Sequence, residues 1–406
     1  MISNAQKAYV WIWLPEQAEP MLAGQINKQG QLYQFVYSRL YREYAQAIAL
    51  SPLELPLQRG TFTPQGMNTL HSCLRDAAPD AWGRRVLHYQ YPQFVPDELD
   101  YLLLSGSDRI GALDFQASNT LYEPRHTPSP PLQDLLFAAQ LVEQRQPLPP
   151  ELDMALLHGT SVGGARPKAL VQEADKSYIA KFSASTDSYD IVKTEYIAMQ
   201  LAQKAGLAVA NTQLVSVLGK DVLLVERFDR VHQNEQVTRR LILSGLSLLG
   251  LNEMEARYAS YLDLADLIRR QFANPKVMLQ ELFQRLTFNI LIGNTDDHAR
   301  NHAAFWDGKQ LSLTPAYDLC PQLRSGYEAS QAMQIGGIQG NLATLKNALS
   351  VCNHFQLIHI EAQQLINQQV EIIQHHWRDL CEQVGLANPE RDRLWQSAIL
   401  NPFCFM

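Results

Sequence analysis

The sequence predicts an α+β chain with two unlike halves, and three observations support that. Segments rich in strand formers crowd the stretch before Arg230. Helical periodicity dominates after it. Early in that helical half, an apolar run ending at Ile292 breaks into a polar cluster, Gly293-Asn294-Thr295-Asp296-Asp297-His298-Ala299-Arg300-Asn301-His302. Period-two runs of β-branched and aromatic residues favour strands, and apolar positions three and four apart favour helices. With 406 residues the chain is long enough for two or three domains with their own cores.

Taken in order, Ala8–Leu14 and Gln31–Ser38 read as strands, and Ala47–Leu50 as a third that Ser51-Pro52 ends. Asp80 is placed to cap a helix through Trp82–Leu87. Arg84, Arg85 and Arg109 are cationic, and surface or ion-paired roles suit them better than anion binding. Glu123–Pro131 is the best linker, because Pro, Ser and Thr disfavour regular structure. An amphipathic helix over Leu132–Arg145 follows, then a Pro-rich break. The resulting division is 1–125, a linker and helix over 126–150, a strand-rich lobe over 151–228, and a helical lobe over 229–406.

Thr160–Lys168 reads TSVGGARPK. Adjacent Gly163 and Gly164 let backbone N–H groups approach phosphate oxygens, and Lys168 adds a point charge. It is neither a Walker A sequence nor G-x-G-x-x-G, so alone it equally describes a plain turn. Ser177–Phe182 reads as a strand with Lys181 near its end, and Val192–Ala205 as a helix whose Glu195 is placed to pair with that lysine. Leu214–Leu218 and Asp221–Val225 form a hairpin around Gly219-Lys220 and lead into Glu226-Arg227-Phe228. After Arg230 the prediction is helical over Tyr258–Phe272, Pro275–Ile292, Ala343–Ser350 and Glu361–Val384. Only Phe305–Leu313 is strand-like.

Composition excludes some classes. The chain is 46% hydrophobic and 18% charged, as in ordinary globular proteins. A net charge of −7 argues against a chain built to coat nucleic acid by itself. No apolar run reaches bilayer length, and the N-terminus lacks the pattern of a signal peptide. Five dispersed cysteines without metal spacing suit a reducing, cytoplasmic setting.

The polar cluster carries the chemistry. Phosphoryl transfer needs a carboxylate to orient the attacking hydroxyl and oxygen ligands for magnesium. Protein kinases supply an Asp with an Asn five residues on, then a separate metal-binding Asp. Asp296 and Asn301 have that spacing, and Asp318 in Ala316-Tyr317-Asp318-Leu319 stands where the later acid falls. Asp, Asn and His also crowd loops for local hydrogen bonding, so agreement with the Gly loop, Lys181 and the two-lobed kinase-like order is what gives the spacing its weight.

Across nearly its whole length the chain resembles the HipA family, the serine/threonine kinase toxins of bacterial type II toxin–antitoxin pairs. The stretches that carry the resemblance are Ser161–Leu170, Lys181-Phe182, Glu226–Arg230, Leu241–Leu251, Gly293–His302 and Ala316–Leu319, with DAWGRRVL and DRIGAL nearer the N-terminus. The resemblance implies a two-lobed protein-kinase-like fold: a β-rich N-terminal lobe with an added small α/β subdomain, and a mostly helical C-terminal lobe. It implies an ATP- and Mg2+-dependent enzyme with Asp296 as catalytic base and Asn301 and Asp318 as metal ligands. The nucleotide would be lined by Gly163, Gly164, Ala165, Arg166, Pro167 and Lys168 of the loop, by Lys181, and by Glu226, Arg227 and Phe228. From the helical lobe His298, Ala299, Arg300, Asn301, Tyr317 and Asp318 would join them. Ser161 stands where the family is autophosphorylated, and a phosphate there would repel those of ATP. The implied partners are a protein substrate, such as an aminoacyl-tRNA synthetase, and a HipB-like helix-turn-helix antitoxin through which alone the chain would meet DNA. Arg166 and Pro167 depart from the family's best-known loop, which has Gln and Glu. A small-molecule kinase of the aminoglycoside or choline type shares the Asp–Asn spacing. A solitary kinase without antitoxin, or a nucleotide-binding regulator acting through complex formation, is a further alternative.

Overall fold

The computed structural model describes residues 5–125, 130–149, 152, 166–173, 175–233, 236–324, 326 and 328–406. Ser161, Gly163, Gly164 and Ala165 lie outside them. The chain forms two compact units: Met1–Thr186 with Val215–Leu243 and Phe305–Lys309, and Asp187–Leu214 with Ser244–Ala304 and Gln310–Met406.

In the first unit, β1 (Lys7–Ile12), β2 (Met21–Gln29), β3 (Leu32–Tyr37), β4 (Thr61–Phe62) and β5 (Leu113–Gln116) form an antiparallel sheet in the order β4-β3-β2-β1-β5. Ala8, Val10 and Ile12 of β1 alternate into the core. In β2, Gly24 faces a spot where a Cβ would stand 2.3 Å from the Val36 carbonyl oxygen, so the close approach of β3 requires glycine. The strand expected over Ala47–Leu50 is absent. Two tyrosine hydroxyls serve its backbone instead: Tyr41 donates to the Ile48 carbonyl at 2.8 Å, and the Leu50 N–H donates to Tyr37 at 2.8 Å. With its polar groups satisfied this way, the segment has no need of a ladder.

The expected helix is present over Ala81–Gln90, and its cap is Asp80, which accepts from the Gly83 N–H at 2.8 Å. A second sheet comprises β6 (Lys168–Glu173), β7 (Lys176–Lys181), β8 (Thr212–Val217) and β9 (Lys220–Glu226), ordered β6-β7-β9-β8. One face buries Ala169, Val171, Ala180 and Leu224 against Trp82 and Leu135 of the adjoining helices. The turn before β9 is left-handed at both Leu218 and Gly219, the geometry that matches strand twist in a tight hairpin. Strands also continue past Arg230, against expectation: β10 (Arg230–Gln233) pairs antiparallel with β11 (Gln236–Arg239), and β12 spans Leu241–Ser244. β13 (Ala303–Trp306) and β14 (Leu311–Leu313) fall in the stretch expected to be strand-like.

The second unit is helical, over Ile191–Lys204, Tyr261–Gln271, Pro275–Ile292, Leu345–Ser350, His359–Gln383 and Asn388–Leu394. Pro275–Ile292 is its centre, packed on Tyr261–Gln271 and His359–Gln383. Its second half, Arg285–Ile292, is buried on every side, and its polar members Arg285, Thr287 and Asn289 are hydrogen-bonded. Within this core, Arg285 donates to Glu281 at 2.9 Å and to the Thr314 carbonyl at 2.8 Å. Among the described residues no helix is long and apolar enough to cross a membrane.

Candidate active site

The Pro275–Ile292 helix stops at Gly293, whose φ is 69°. A Cβ there would lie 2.6 Å from the Ala398 carbonyl oxygen, so both conformation and space demand glycine. The next residue ties three segments together. Asn294 donates from its backbone to the Asn289 carbonyl at 2.9 Å, and from its amide to the Asn289 side chain at 2.9 Å and the Asp318 carbonyl at 3.4 Å. Asp318 itself has a φ of 60°, a left-handed geometry that Asp tolerates better than most non-glycine residues.

The adjacent acids face opposite ways. Asp296 is exposed, whereas Asp297 is 1% exposed. Asp297 accepts from the Tyr261 hydroxyl and from His302 Nε2 at 3.0 Å. The loop closes on Asp296 through its carbonyl, which accepts from the His298 N–H at 2.8 Å and from Asn301 Nδ2 at 3.3 Å. With its NH2 committed there, Asn301 keeps its amide oxygen as an acceptor. Tyr317, next to Asp318, donates to the Arg300 carbonyl at 2.6 Å.

The electrostatics of Asp296 involve a second acid. The Asp296 carboxyl is raised above the ordinary carboxylate range, first by partial desolvation and then by the field of Asp318, while His298 opposes the rise. His298 Nδ1 is buried without a hydrogen-bond partner. Carboxylate and amide oxygens, which Asp296, Asp318 and Asn301 carry, are the hard donors that magnesium accepts. Among the described residues no three His, Cys, Asp or Glu side chains cluster as a metal cage. Magnesium on a nucleotide needs no such cage, because it keeps waters and phosphate oxygens as its other ligands.

The residues expected from the strand-rich lobe lie in the first unit. Lys168 and Lys181 face each other across β6 and β7. Lys168 is buried and its ammonium meets Asp80 at 3.2 Å. Pro167 accepts from the Phe182 N–H at 3.0 Å, which holds the described end of the loop to β7. Glu226 pairs with Lys176 at 2.9 Å, and Phe228 lies edge-on to Phe305. Arg227 is fully buried between Asp108 and Asp229, both at 2.8 Å. Arg300, in the second unit, pairs with Glu253 at 2.6 Å.

Residues 12–116 match the HipA N-terminal domain, and residues 160–384 match the HipA-like C-terminal domain. The chain belongs to the HipA family. It is 29% identical over 259 residues to the serine/threonine-protein kinase toxin HipA of Shewanella oneidensis, covering 57% of this chain and 58% of that one. It is 31% identical over 168 residues to the putative kinase Y4mE of Sinorhizobium fredii, covering 40% and 38%. The match thus spans about half the length of these relatives. Among solved structures, HipA of Shewanella oneidensis MR-1, from a complex with HipB and its operator DNA, superposes with a TM-score of 0.69 at 20% identity over 92% of each chain. The α+β, kinase-like fold of the HipA family is therefore this chain's fold.

Two site-shaping residues of this HipA-family chain escape a motif reading. Asn294 lies inside the polar cluster, but its link to Asp318 is a tertiary contact that spacing does not reveal. Tyr261 lies well upstream at the start of a helix, where an aromatic residue reads as ordinary core.

Proposed function

We propose that this chain is an ATP- and magnesium-dependent serine/threonine protein kinase, the toxin partner of a HipB-like antitoxin. The observation that supports it most directly is the loop itself. It turns the Asp296 carboxyl outward, buries Asp297 beneath it, and puts Asp296 in the field of Asp318 beside Asn301. In the proposed reaction the acceptor's hydroxyl oxygen bonds to the γ-phosphorus of ATP, the bond to the β-phosphate oxygen breaks, and Asp296 takes the hydroxyl proton. Asn301 and Asp318 would hold magnesium, which supplies charge neutralisation on the phosphates. Lys181 would meet the nucleotide phosphates, and Glu226 and Phe228 the adenine. Lys168 would act less directly, since Asp80 already engages it. The protein acceptor, autophosphorylation at Ser161 and the antitoxin partner rest on family likeness.

The test is transfer of γ-32P from ATP by the purified chain with and without magnesium. The reading expects magnesium-dependent label on protein, Ser161 included, and none from Asp296→Asn. Label on an aminoglycoside or choline in place of protein favours the metabolite-kinase alternative. Label on neither, under conditions where a control kinase is active, removes the proposal.

A further inference from the structure

We propose that Tyr261 is a positioning residue for phosphoryl transfer, holding Asp297 so that the neighbouring Asp296 carboxyl is presented to the acceptor hydroxyl. The inference rests on the kinase reading above. Tyr261 opens the Tyr261–Gln271 helix, and the start of that helix is itself fixed. Ser260 caps it, accepting from the Leu262 N–H at 3.0 Å, and the Tyr261 N–H donates to the Gln334 carbonyl at 2.9 Å. The tyrosine is fully buried, and its hydroxyl donates to the Asp297 carboxylate.

Among the described residues, Tyr261 is the one side chain from outside the loop that meets Asp297. The other partner is His302, whose Nε2 lies 3.0 Å from Oδ1 and 3.2 Å from Oδ2. Tyr261 and His302 also meet edge-on, with ring centroids 5.5 Å apart. His302 is steadied in turn through its carbonyl, which accepts from the Gly245 N–H at 2.6 Å. A buried carboxylate depends on its donors, so the favoured loop geometry is the one in which both reach it. Asp296 has a different hold: its carbonyl is tied to His298 and Asn301, while its carboxyl stays open to solvent. The two acids share one peptide plane, so a buried side chain on one side and a bound carbonyl on the other set the direction of the catalytic carboxyl. A displacement of about 1 Å in such a group lowers rates by about 100-fold.

Tyr261→Phe removes one oxygen and keeps the ring. The expected result is a fall in kcat of about tenfold or more, with KM for ATP within about twofold of the native value, because the nucleotide contacts are untouched. In an Asp297→Asn background the same change should add less than about twofold, since the two groups act as a unit. Asp297→Asn alone should show the same pattern of lowered kcat and steady KM, and it serves as the test if Tyr261→Phe does not fold. Thermal unfolding of each variant accounts for any loss of folded protein. A native kcat in Tyr261→Phe, a loss explained by the unfolded fraction, or full additivity with Asp297→Asn overturns the inference and leaves the kinase reading standing. A native chain that transfers no phosphate overturns both.

Discussion

Around Arg227 in the first unit each carboxylate meets guanidinium groups; around Asp296 in the second a carboxyl is raised by burial and by the field of another acid. Asp229 accepts from Arg227 at 2.8 and 3.0 Å, from Arg230 at 2.8 Å and from the Gly111 N–H at 2.7 Å. Arg227 also reaches the Arg109 carbonyl at 2.6 Å, and Arg239 lies over the Trp13 ring at 3.5 Å. That cluster is saturated, and it joins the N-terminal sheet region to the segment after β9. The loop around Asp296 carries the same residue types with acceptor capacity left over. Saturation marks architecture, and a carboxyl raised by burial and by a second acid suits chemistry, although both stretches look equally charged in sequence.

The sharpest way to break this comparison is Asp296→Asn. Loss of a general base lowers rates by about 10²–10⁴-fold, and phosphate transfer should fall that far while the fold persists. Stability should change the other way. The Asp296 carboxyl is raised in the folded state, first by partial desolvation, so its charged form is disfavoured there above the raised value, and that penalty vanishes below the ordinary carboxylate range. Asn removes the penalty, so Tm should rise slightly at neutral pH and not at low pH. In the native enzyme, kcat/KM should fall with acid through a value higher than an ordinary Asp, as the base of the free enzyme becomes protonated. A pH–rate profile with an ordinary acidic limb would contradict the assignment.

The converse substitution is Asp229→Asn. Removing the charge between two buried guanidiniums should cost about 3–5 kcal/mol of stability, read by urea unfolding. The Asp229 carboxyl is held below its usual range, since the pull of Arg227 and Arg230 outweighs the opposing effect of burial. Its contribution is therefore present above the ordinary carboxylate range and is lost as pH falls through the depressed value. The gap between native and variant stability should narrow in acid. Activity per folded molecule should change far less than in Asp296→Asn, and an equal loss there would erase the distinction between the two clusters.

What the sequence made legible follows the same division. The turn into the Gly293–His302 loop was readable because its spacing is local and its glycine unavoidable. The β7 strand, the Asp80 cap and the Pro275–Ile292 helix were readable from periodicity and capping. β2 was missed because Met21–Gln29 carries few strand formers, and its place is set by what Gly24 admits from β3. β12 was missed because a short apolar run such as Leu241–Ser244 fits strand or helix equally. Ala47–Leu50 was misread because no local pattern announces that Tyr37 and Tyr41 will take its backbone bonds. The ion pairs of Arg227 were not readable, since its partner Asp108 is remote in sequence.

The smallest effect is expected at Glu253→Ala. Glu253 holds the Arg300 guanidinium at 2.6 Å, with side chains 64% and 34% exposed. Such pairs contribute about 0.2–1 kcal/mol and are screened by salt, so unfolding free energy should fall by less than about 1 kcal/mol. The loop grips Arg300 through its backbone, because its carbonyl takes the Tyr317 hydroxyl. Losing the ion pair should therefore leave the Asp296 geometry, and kcat, near native. KM for ATP is the discriminating quantity. If Arg300 belongs with the saturated, architectural charges, KM should stay within about twofold, the scale of an exposed pair. If its guanidinium meets nucleotide phosphates, releasing it from Glu253 should lower KM, and more so at low salt. That outcome would move Arg300 into the same class as Asp296, among the charges left open for chemistry.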